Sequence, residues 1–344
     1  MKKLFLFSSL FLSLFLFVSA AFAGETAIEL FDGESLFGWT STDKQSWSVS
    51  GAAGSAILVG KGPAILRTTS QFGEYDLAIT YRMPKKGVAS LLLRTDPNGK
   101  RCAEFPLTAA AKSEEWSTLV VSSKTINQKT KLGRGYIGVR LGVGGQIEIK
   151  KLSLIPVGLK PLYNGADLTG WRKQGEVAVA PIAEGVLELK GGNGSLETTE
   201  SFGDFDFQAE VFVNGDNLNS GIFFRSIPND KMNGYECQIN NSMKSNDPYQ
   251  PADCGTGGIF RRVDARKIVA KDRDWFRIHI NATGAHFAVW VNGFQVTDWT
   301  DTRKENENPR RGLRKEPGTI QLQGHDATTD MKFRNLSAGT IEER

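Results

Sequence analysis

An internal repeat constrains the fold of this 344-residue chain more than any other feature. The segment FDGESLFGW at residues 31–39 returns as YNGADLTGW at residues 163–171, and TTSQFGEYD at 68–76 returns as TTESFGDFD at 198–206. Two matches at nearly the same spacing predict two copies of one domain. The boundary is expected near residues 156–161, where a strand-like stretch gives way to a short Pro/Gly segment, so the copies span 24–156 and 157–344.

Within each copy the hydrophobic period is two. In the second copy, alternate residues of the segment 205–213 are apolar, which is typical of a strand with one buried face. The pair Asn292-Gly293 favours a tight hairpin turn between two such strands. Glycine makes up 37 of the 344 residues, consistent with many tight turns. We therefore predict an all-β protein, with one sandwich or jelly roll per copy.

The N-terminus has the organisation of a signal peptide. Lys2 and Lys3 precede an apolar run at residues 4–18, and the small-residue site 21–23 follows. The run is too short to span a bilayer, so we expect cleavage after Ala23 and a secreted or periplasmic protein with no membrane span. The net charge of +4 falls to +2 without the two lysines, which gives no indication of a nucleic-acid partner.

The chain has three cysteines, too few for a disulfide framework. The sequence is compatible with a single disulfide bond, and Cys237 with Cys254 is the preferred pair because both lie in the second copy. The spacing of the cysteines does not fit a metal site.

All three histidines lie in the second copy. His279 and His286 are interpreted as structural or solvated residues. His325 differs, because it ends a stripe in which Gln321, Gln323 and His325 face away from the apolar side of their strand.

Two further segments carry similar polar stripes. Alternation places Glu236 and Gln238 on one face of the segment 234–239, and Arg225 opposite the apolar side of 219–225. If these strands share a sheet, the groove contains Arg225, Glu236, Gln238, Gln323 and His325. Such groups suit sugar hydroxyls, which need paired donors and acceptors. The alternative is that these are ordinary solvated strand faces. The basic residues at 261–267 and 303–315 are interleaved with acidic ones and are interpreted as solvated loops.

The second copy resembles the 3-keto-disaccharide hydrolase domain family. The resemblance is carried by LYNGADLTGW (162–171), NSGIFFR (219–225), GYECQI (234–239), TGGIF (256–260), WVNG (290–293), IQLQGH (320–325) and FRNL (333–336). It implies a concanavalin A-like jelly roll in each of two tandem copies. The first copy shares only its opening motif, its Phe-Gly-Glu segment and Arg94. There GKRC (99–102) stands where GYEC stands in the second copy, and the segment 139–142 has no histidine, so this copy is interpreted as degenerate.

The resemblance implies an exported hydrolase, or a lyase and hydratase, that cleaves 3-keto-glycosides or related disaccharides. Glu236 and His325 are then the catalytic acid/base pair, and Arg225, Gln238 and Gln323 contact the carbohydrate. A divalent cation held by Glu236 and His325 stays open. Two other readings also stay open: a lectin-like binding module without catalysis, and a surface protein in which the repeats are spacers.

Overall fold

The computed structural model describes residues 27–84, 87–110, 115–182 and 185–342. The predicted signal peptide at residues 1–23 lies outside these ranges. The chain divides after Val157 into two compact units. Each unit is built from two antiparallel β-sheets, so the prediction of an all-β protein with two tandem copies is confirmed.

The first unit contains eleven named strands among its described residues. They are β1 (Ile28–Glu29), β2 (Trp39–Ser41), β3 (Trp47–Ser50), β4 (Ile57–Lys61), β5 (Ala64–Thr68), β6 (Tyr75–Arg82), β7 (Ala89–Thr95), β8 (Ala103–Leu107), β9 (Ser117–Val121), β10 (Tyr136–Leu141) and β11 (Gln146–Pro156). A 3-10 turn covers Lys44–Ser46, and the helix α1 covers Ser123–Lys129. One sheet has the order β3-β4-β11-β6-β9, with β1 beside β11, and the other has the order β2-β5-β10-β7-β8.

The second unit contains thirteen named strands in its described part. They are β12 (Lys160–Pro161), β13 (Trp171–Gly175), β14 (Ala178–Ile182), β15 (Val186–Lys190), β16 (Gly194–Phe202), β17 (Phe205–Val213), β18 (Ser220–Ser226), β19 (Tyr235–Ile239), β20 (Trp275–Thr283), β21 (His286–Val291), β22 (Phe294–Thr300), β23 (Gly318–Gly324) and β24 (Asp330–Thr340). A 3-10 turn covers Lys244–Asn246. One sheet has the order β14-β15-β24-β17-β20-β21-β22, with β12 beside β24, and the other has the order β13-β16-β23-β18-β19.

The two units share one topology. The five-stranded sheet β2-β5-β10-β7-β8 corresponds strand for strand to β13-β16-β23-β18-β19. The larger sheets correspond as well, except that the second unit adds the β21–β22 hairpin. At its turn Asn292 and Gly293 both have positive φ angles, 49° and 82°, as the sequence predicted.

Alternation decides which side chains fill the core of the second unit. The odd residues of 205–213 are all buried in one apolar cluster, which confirms the period-two prediction for β17. The same cluster takes up Tyr235, Cys237 and Ile239 from β19, and Ile320 and Leu322 from β23. The intervening residues of these two strands therefore lie on the outer face of the five-stranded sheet, the face directed away from the sandwich core.

The structure tests two sequence-based predictions, the Cys237–Cys254 disulfide and the structural role of His279. The preferred disulfide is wrong, because Cys102, Cys237 and Cys254 are all free thiols. Burial raises the pKa of Cys237 and of Cys254. His279 is fully buried and its Nε2 lies 2.9 Å from Asp206 Oδ1, so it is a structural residue.

Among the described residues no helix is long and apolar enough to cross a bilayer.

Candidate active site

The candidate site lies on the outer face of the five-stranded sheet in the second unit. Strand pairing brings the predicted residues of β19 and β23 to either side of β18: Gln238 is opposite Gly221, and Glu236 is opposite Phe223. On the other side, β23 pairs with β18 through Leu322 and Ile222. Glu236, Gln238 and Gln323 therefore lie together around Gly221, as alternation along the strands indicated.

Glu236 is a buried carboxylate, with only 6% of the residue exposed. Burial raises its pKa above the usual range of a glutamate, and this effect outweighs the attraction of nearby Arg310 and His325. One oxygen, Oε2, accepts a hydrogen bond from Arg310 Nη2 at 3.2 Å. The site thus holds a carboxyl group that is more basic than a solvated one and has a cation beside it.

Arg310 is supplied by the long segment between β22 and β23. Its guanidinium donates to Met232 O as well as to Glu236, and it lies over the ring of Phe223. Its own carbonyl accepts a hydrogen bond from Arg262 Nη2 at 2.8 Å. Arg310 is therefore held from both ends and directed at the sheet.

The segment that carries Arg310 is anchored through β19. Tyr235, the neighbour of Glu236, donates its hydroxyl to Asp301 Oδ2 at 2.8 Å, and the same oxygen atom of Tyr235 accepts from Arg314 N at 2.9 Å. The guanidinium of Arg303 donates two hydrogen bonds to the Asp301 carboxylate, at 2.8 and 2.7 Å, and its backbone N–H donates a third at 3.1 Å. The strand that carries Glu236 on one face therefore fixes, from its other face, the loop that brings Arg310 to Glu236.

Gln238 and Gln323 place their amide groups on the same face. Gln238 Nε2 donates to Asp253 Oδ2 at 3.0 Å, and Asn219 Nδ2 donates to the same carboxylate oxygen at 2.7 Å. Within the described part of the chain, Gln323 Nε2 has only the weak acceptor Met232 Sδ, at 3.4 Å. Among the described residues neither amide oxygen, Gln238 Oε1 or Gln323 Oε1, has a hydrogen-bond partner although both are buried.

His325 follows the end of β23 and is the most exposed member of the group, with 40% of its side chain accessible. Its Nδ1 lies 2.8 Å from Asp326 Oδ2, and its backbone N–H donates to Thr329 Oγ1. Hydrogen bonds from Thr328, and then from His325, lower the pKa of Asp326 to about 2. Asp326 therefore stays ionised and orients the imidazole of His325.

The placement of Arg225 on this face is wrong. Arg225 is fully buried, has a φ of 46°, and sits where the pairing of β18 with β23 shifts register. Its guanidinium donates to Gly203 O, Gly284 O and Asp204 Oδ1, at 3.0, 2.5 and 2.8 Å. The bulge turns the side chain out of the alternation, and Arg225 joins separate loops of the fold.

Sequence reasoning missed Arg310 and Asp253. Both lie outside regular strands, so no period could assign them to the face. The available signal was only the cluster of basic residues at 303–315, which was interpreted as a solvated loop. The described residues contain no group of three or more His, Cys, Asp or Glu side chains able to hold a metal ion. Glu236 and His325 therefore do not fit a divalent-cation site, and no role for a cation is derived.

Several solved structures resemble part of this chain at low sequence identity. A "putative glycosyl hydrolase" structure from Parabacteroides distasonis is 17% identical, with a TM-score of 0.44, and covers 54% of this chain and 94% of its own. A second structure from that organism, with the same description, is 23% identical and has a TM-score of 0.43. The match covers 53% of this chain and 99% of that one. The carbohydrate-binding module CBM66 from Bacillus subtilis is 15% identical and has a TM-score of 0.36. The match covers 50% of this chain and 96% of that module. These values are too low to carry any statement about activity.

The family comparison is more specific. No curated protein sequence matches the chain significantly. The model of one domain family, described as the 3-keto-alpha-glucoside-1,2-lyase-like domain, matches residues 26–136 and again residues 158–338. The two matches cover most of the chain and fall one on each unit. The chain therefore belongs to the family of 3-keto-alpha-glucoside-1,2-lyase-like domains, of which it carries two copies, and its function is related to carbohydrate.

Proposed function

We propose that the chain is an exported enzyme that cleaves 3-keto-glycosides or related disaccharides at the outer face of the second unit. The observation that carries the proposal is Glu236, a buried carboxyl group whose pKa is raised, which has Arg310 on one oxygen and the Gln323 amide oxygen near the other. A solvated strand face has no reason to bury a carboxylate in this way, because burying a charged group is unfavourable.

The chemistry begins at the carbon between the ketone and the glycosidic bond. A ketone at C3 acidifies the C2–H bond, so a base removes that proton and leaves an enolate. The electron pair of the enolate then forms the C1–C2 double bond, while the C1–O bond breaks and the departing oxygen takes up a proton. This elimination releases the second sugar. Addition of water across the new double bond completes a net hydrolysis.

Glu236 suits the role of the base. A base is most effective when its pKa lies close to the working pH, and burial moves the pKa of Glu236 in that direction. His325 suits the role of the acid, because its exposed ring, oriented by Asp326, can deliver a proton to the departing oxygen and recover it from water. Glu236 and His325 thus remain the proposed pair.

Arg310 supplies the positive charge that the reaction needs. Negative charge develops on the C3 oxygen as the C2 proton leaves, and a fixed cation next to the base stabilises it. The sequence assigned this task to Arg225, whose guanidinium is occupied by backbone carbonyls and Asp204. Gln238 and Gln323 are proposed to contact hydroxyl groups of the sugar.

The test is incubation of the full chain with a 3-keto disaccharide and with the unmodified disaccharide, in D₂O, followed by product analysis. We expect cleavage of the 3-keto compound only, with deuterium at C2 of the released keto sugar, because the C2 proton is exchanged with solvent during elimination and hydration. Cleavage without deuterium at C2 would indicate direct hydrolysis. Cleavage of neither compound would contradict the proposal.

A carbohydrate-binding module without catalysis is the second candidate. It is favoured by the two buried amide oxygens, which are ready to bind hydroxyl groups whether or not a reaction follows. This candidate predicts that both disaccharides bind and neither is cleaved. It also predicts that Glu236→Gln weakens binding and has no reaction to abolish.

A further inference from the structure

The outer face of the second unit contains two buried acceptors that the fold does not use. Gln238 is 1% exposed and Gln323 is 6% exposed, and among the described residues neither Oε1 atom receives a hydrogen bond. A buried acceptor without a donor destabilises a fold, so it calls for a partner such as a ligand or an ordered water. Two in one place indicate a binding site.

Gly221 lies between these groups. A Cβ atom at this position would lie 3.0 Å from Glu236 Cγ, 3.1 Å from Glu236 Oε1 and 3.3 Å from Gln323 Oε1. The φ angle of Gly221 is outside the left-handed region, so the backbone does not require glycine here. The missing side chain instead lets the Glu236 carboxylate and the Gln323 amide pack against bare backbone, because a Cβ atom here would have to push one of them aside.

The groups around Gly221 set the chemistry of the ligand. Ionised Glu236 and the two amide oxygens all accept hydrogen bonds, so the occupant must donate them. Arg310 lies on the other carboxylate oxygen of Glu236, and Asp253 lies behind Gln238. We infer that Gly221, Gln238 and Gln323 form a subsite for two hydroxyl groups of a neutral sugar, and that it disfavours a sugar carrying a carboxylate there. This inference rests on the proposed function for its ligand class.

Gln321 provides a matched control on the same strand. It faces the same side two residues earlier and is fully buried, but its amide is satisfied. Its Oε1 accepts from Ser195 Oγ and Met232 N at 3.0 and 2.9 Å, and its Nε2 donates to Asp230 O at 3.0 Å. Gln321 is therefore a structural residue, and Gln323, of the same type and on the same face, is a binding residue.

The experiment uses the full chain carrying His325→Ala, a change that is expected to block turnover while leaving the subsite in place. In this background Gln323 and its control Gln321 are each replaced by methionine. Melting temperatures are measured without ligand, and affinities by calorimetry. The probes are a neutral 3-keto disaccharide and the same compound with a uronate in place of one hydroxymethyl group. Gly221→Ala is added because its Cβ would displace the side chain of Glu236 or Gln323. Gly203→Ala is its control, because a Cβ there meets only Pro317 Cγ, at 3.4 Å.

For Gln323→Met we expect a melting temperature at or above that of the parent, since an unsatisfied acceptor is removed, and an affinity for the neutral probe weakened about tenfold. For Gln321→Met we expect a melting temperature lower by about 2 to 8 °C. Gly221→Ala should weaken binding and Gly203→Ala should not. The uronate should bind more weakly than the neutral probe.

Unchanged affinity in Gln323→Met, uronate binding equal to neutral binding, or no sugar binding at all would each overturn the subsite. If the neutral probe binds with the expected pattern but the unmodified chain releases no product, the subsite stands and only the catalytic proposal fails.

Discussion

The two units carry a glutamate at the same position of the same sheet and surround it differently. Glu104 is opposite Leu92, and Glu236 is opposite Phe223, in each case two residues before the buried arginine of the neighbouring strand. Glu104 forms an ion pair with Arg140 at 2.9 Å, and both side chains are about one-third exposed. Glu236 is buried beside unpaired amide oxygens.

Every other position that we assign to the site differs between the units. Since β10 pairs with β7 in the register in which β23 pairs with β18, Arg140 is the counterpart of Gln323, and Gly142 that of His325. Ser90 stands in the place of Gly221, because it lies opposite Arg140. The close approach of a carboxylate and an amide to a glycine therefore has no equivalent in the first unit.

The buried arginine, in contrast, is kept in both units. Arg94 has a φ of 49° and donates to Gly73 O at 3.0 Å, just as Arg225 has a φ of 46° and donates to Gly203 O at the same distance. Arg94 also pairs with Glu74, and Arg225 with Asp204. The buried arginine, repeated with its contacts in both copies, therefore builds the fold. The candidates for function are Glu236, whose surroundings differ from those of Glu104, and the residues found in the second copy alone.

The largest expected effect is on turnover, and it should distinguish Glu236 from Glu104. Glu236→Gln and His325→Ala should each lower turnover of a 3-keto disaccharide by about 10²- to 10⁴-fold, because a general acid or base is lost. Glu104→Gln should leave turnover unchanged. Steady-state rates of the three variants test this. A loss of activity in Glu104→Gln as large as in Glu236→Gln would remove the distinction between the units.

Replacement of the buried arginines should destabilise both units alike. Arg225→Lys and Arg94→Lys each leave backbone carbonyls and a carboxylate without their planar donor, so we expect a loss of about 3 kcal/mol in unfolding free energy. Chemical denaturation of each variant measures it. If Arg225→Lys instead lowers turnover with no loss of stability, Arg225 acts in the reaction, as the sequence had suggested.

The pH dependence of stability should reveal the buried carboxyl group. Folding raises the pKa of Glu236, so its favourable contribution is complete below the pKa of the unfolded chain and is lost as pH rises through the folded-state value. Glu236→Gln does not titrate. The melting temperature of Glu236→Gln relative to the parent should therefore increase between pH 4 and pH 8, and a relative decrease would contradict the burial of the charge.

The smallest effect is expected at the ion pair of the first unit. Arg140→Gln removes a partly exposed pair, for which a change of about 0.2–1 kcal/mol is typical. It should neither create nor abolish activity, since Gly142 offers no imidazole. Calorimetric unfolding and a rate measurement on the same sample test both statements.

Sequence reasoning predicted the strands and the outward direction of most residues of the proposed site, because both depend on alternation. The core residues of β17, and the outward direction of Glu236, Gln238 and Gln323, follow from a period of two. Arg225 could not be placed in this way, because a bulge interrupts the period at that residue. Arg310 could not be placed either, since it lies on a long segment held by tertiary hydrogen bonds.

The alignment of the first copy was wrong for a different reason. The sequence analysis aligned residues 99–102 with residues 234–237. In the structure Asp96 to Arg101 close a turn, and the strand that pairs with β7 begins at Ala103. The carboxylate is therefore kept, as Glu104, and what changes is its surroundings. Residue identity alone does not fix register where the connecting turns differ in length.

The most direct test of the account is hydrogen–deuterium exchange of the full chain carrying Glu236→Gln, with and without a saturating 3-keto disaccharide. We predict slower exchange on ligand addition in peptides that cover residues 219–239 and 318–326, and no change in those covering 89–107 and 135–142. Slower exchange confined to the peptides of the first unit would contradict the assignment of the site to the second.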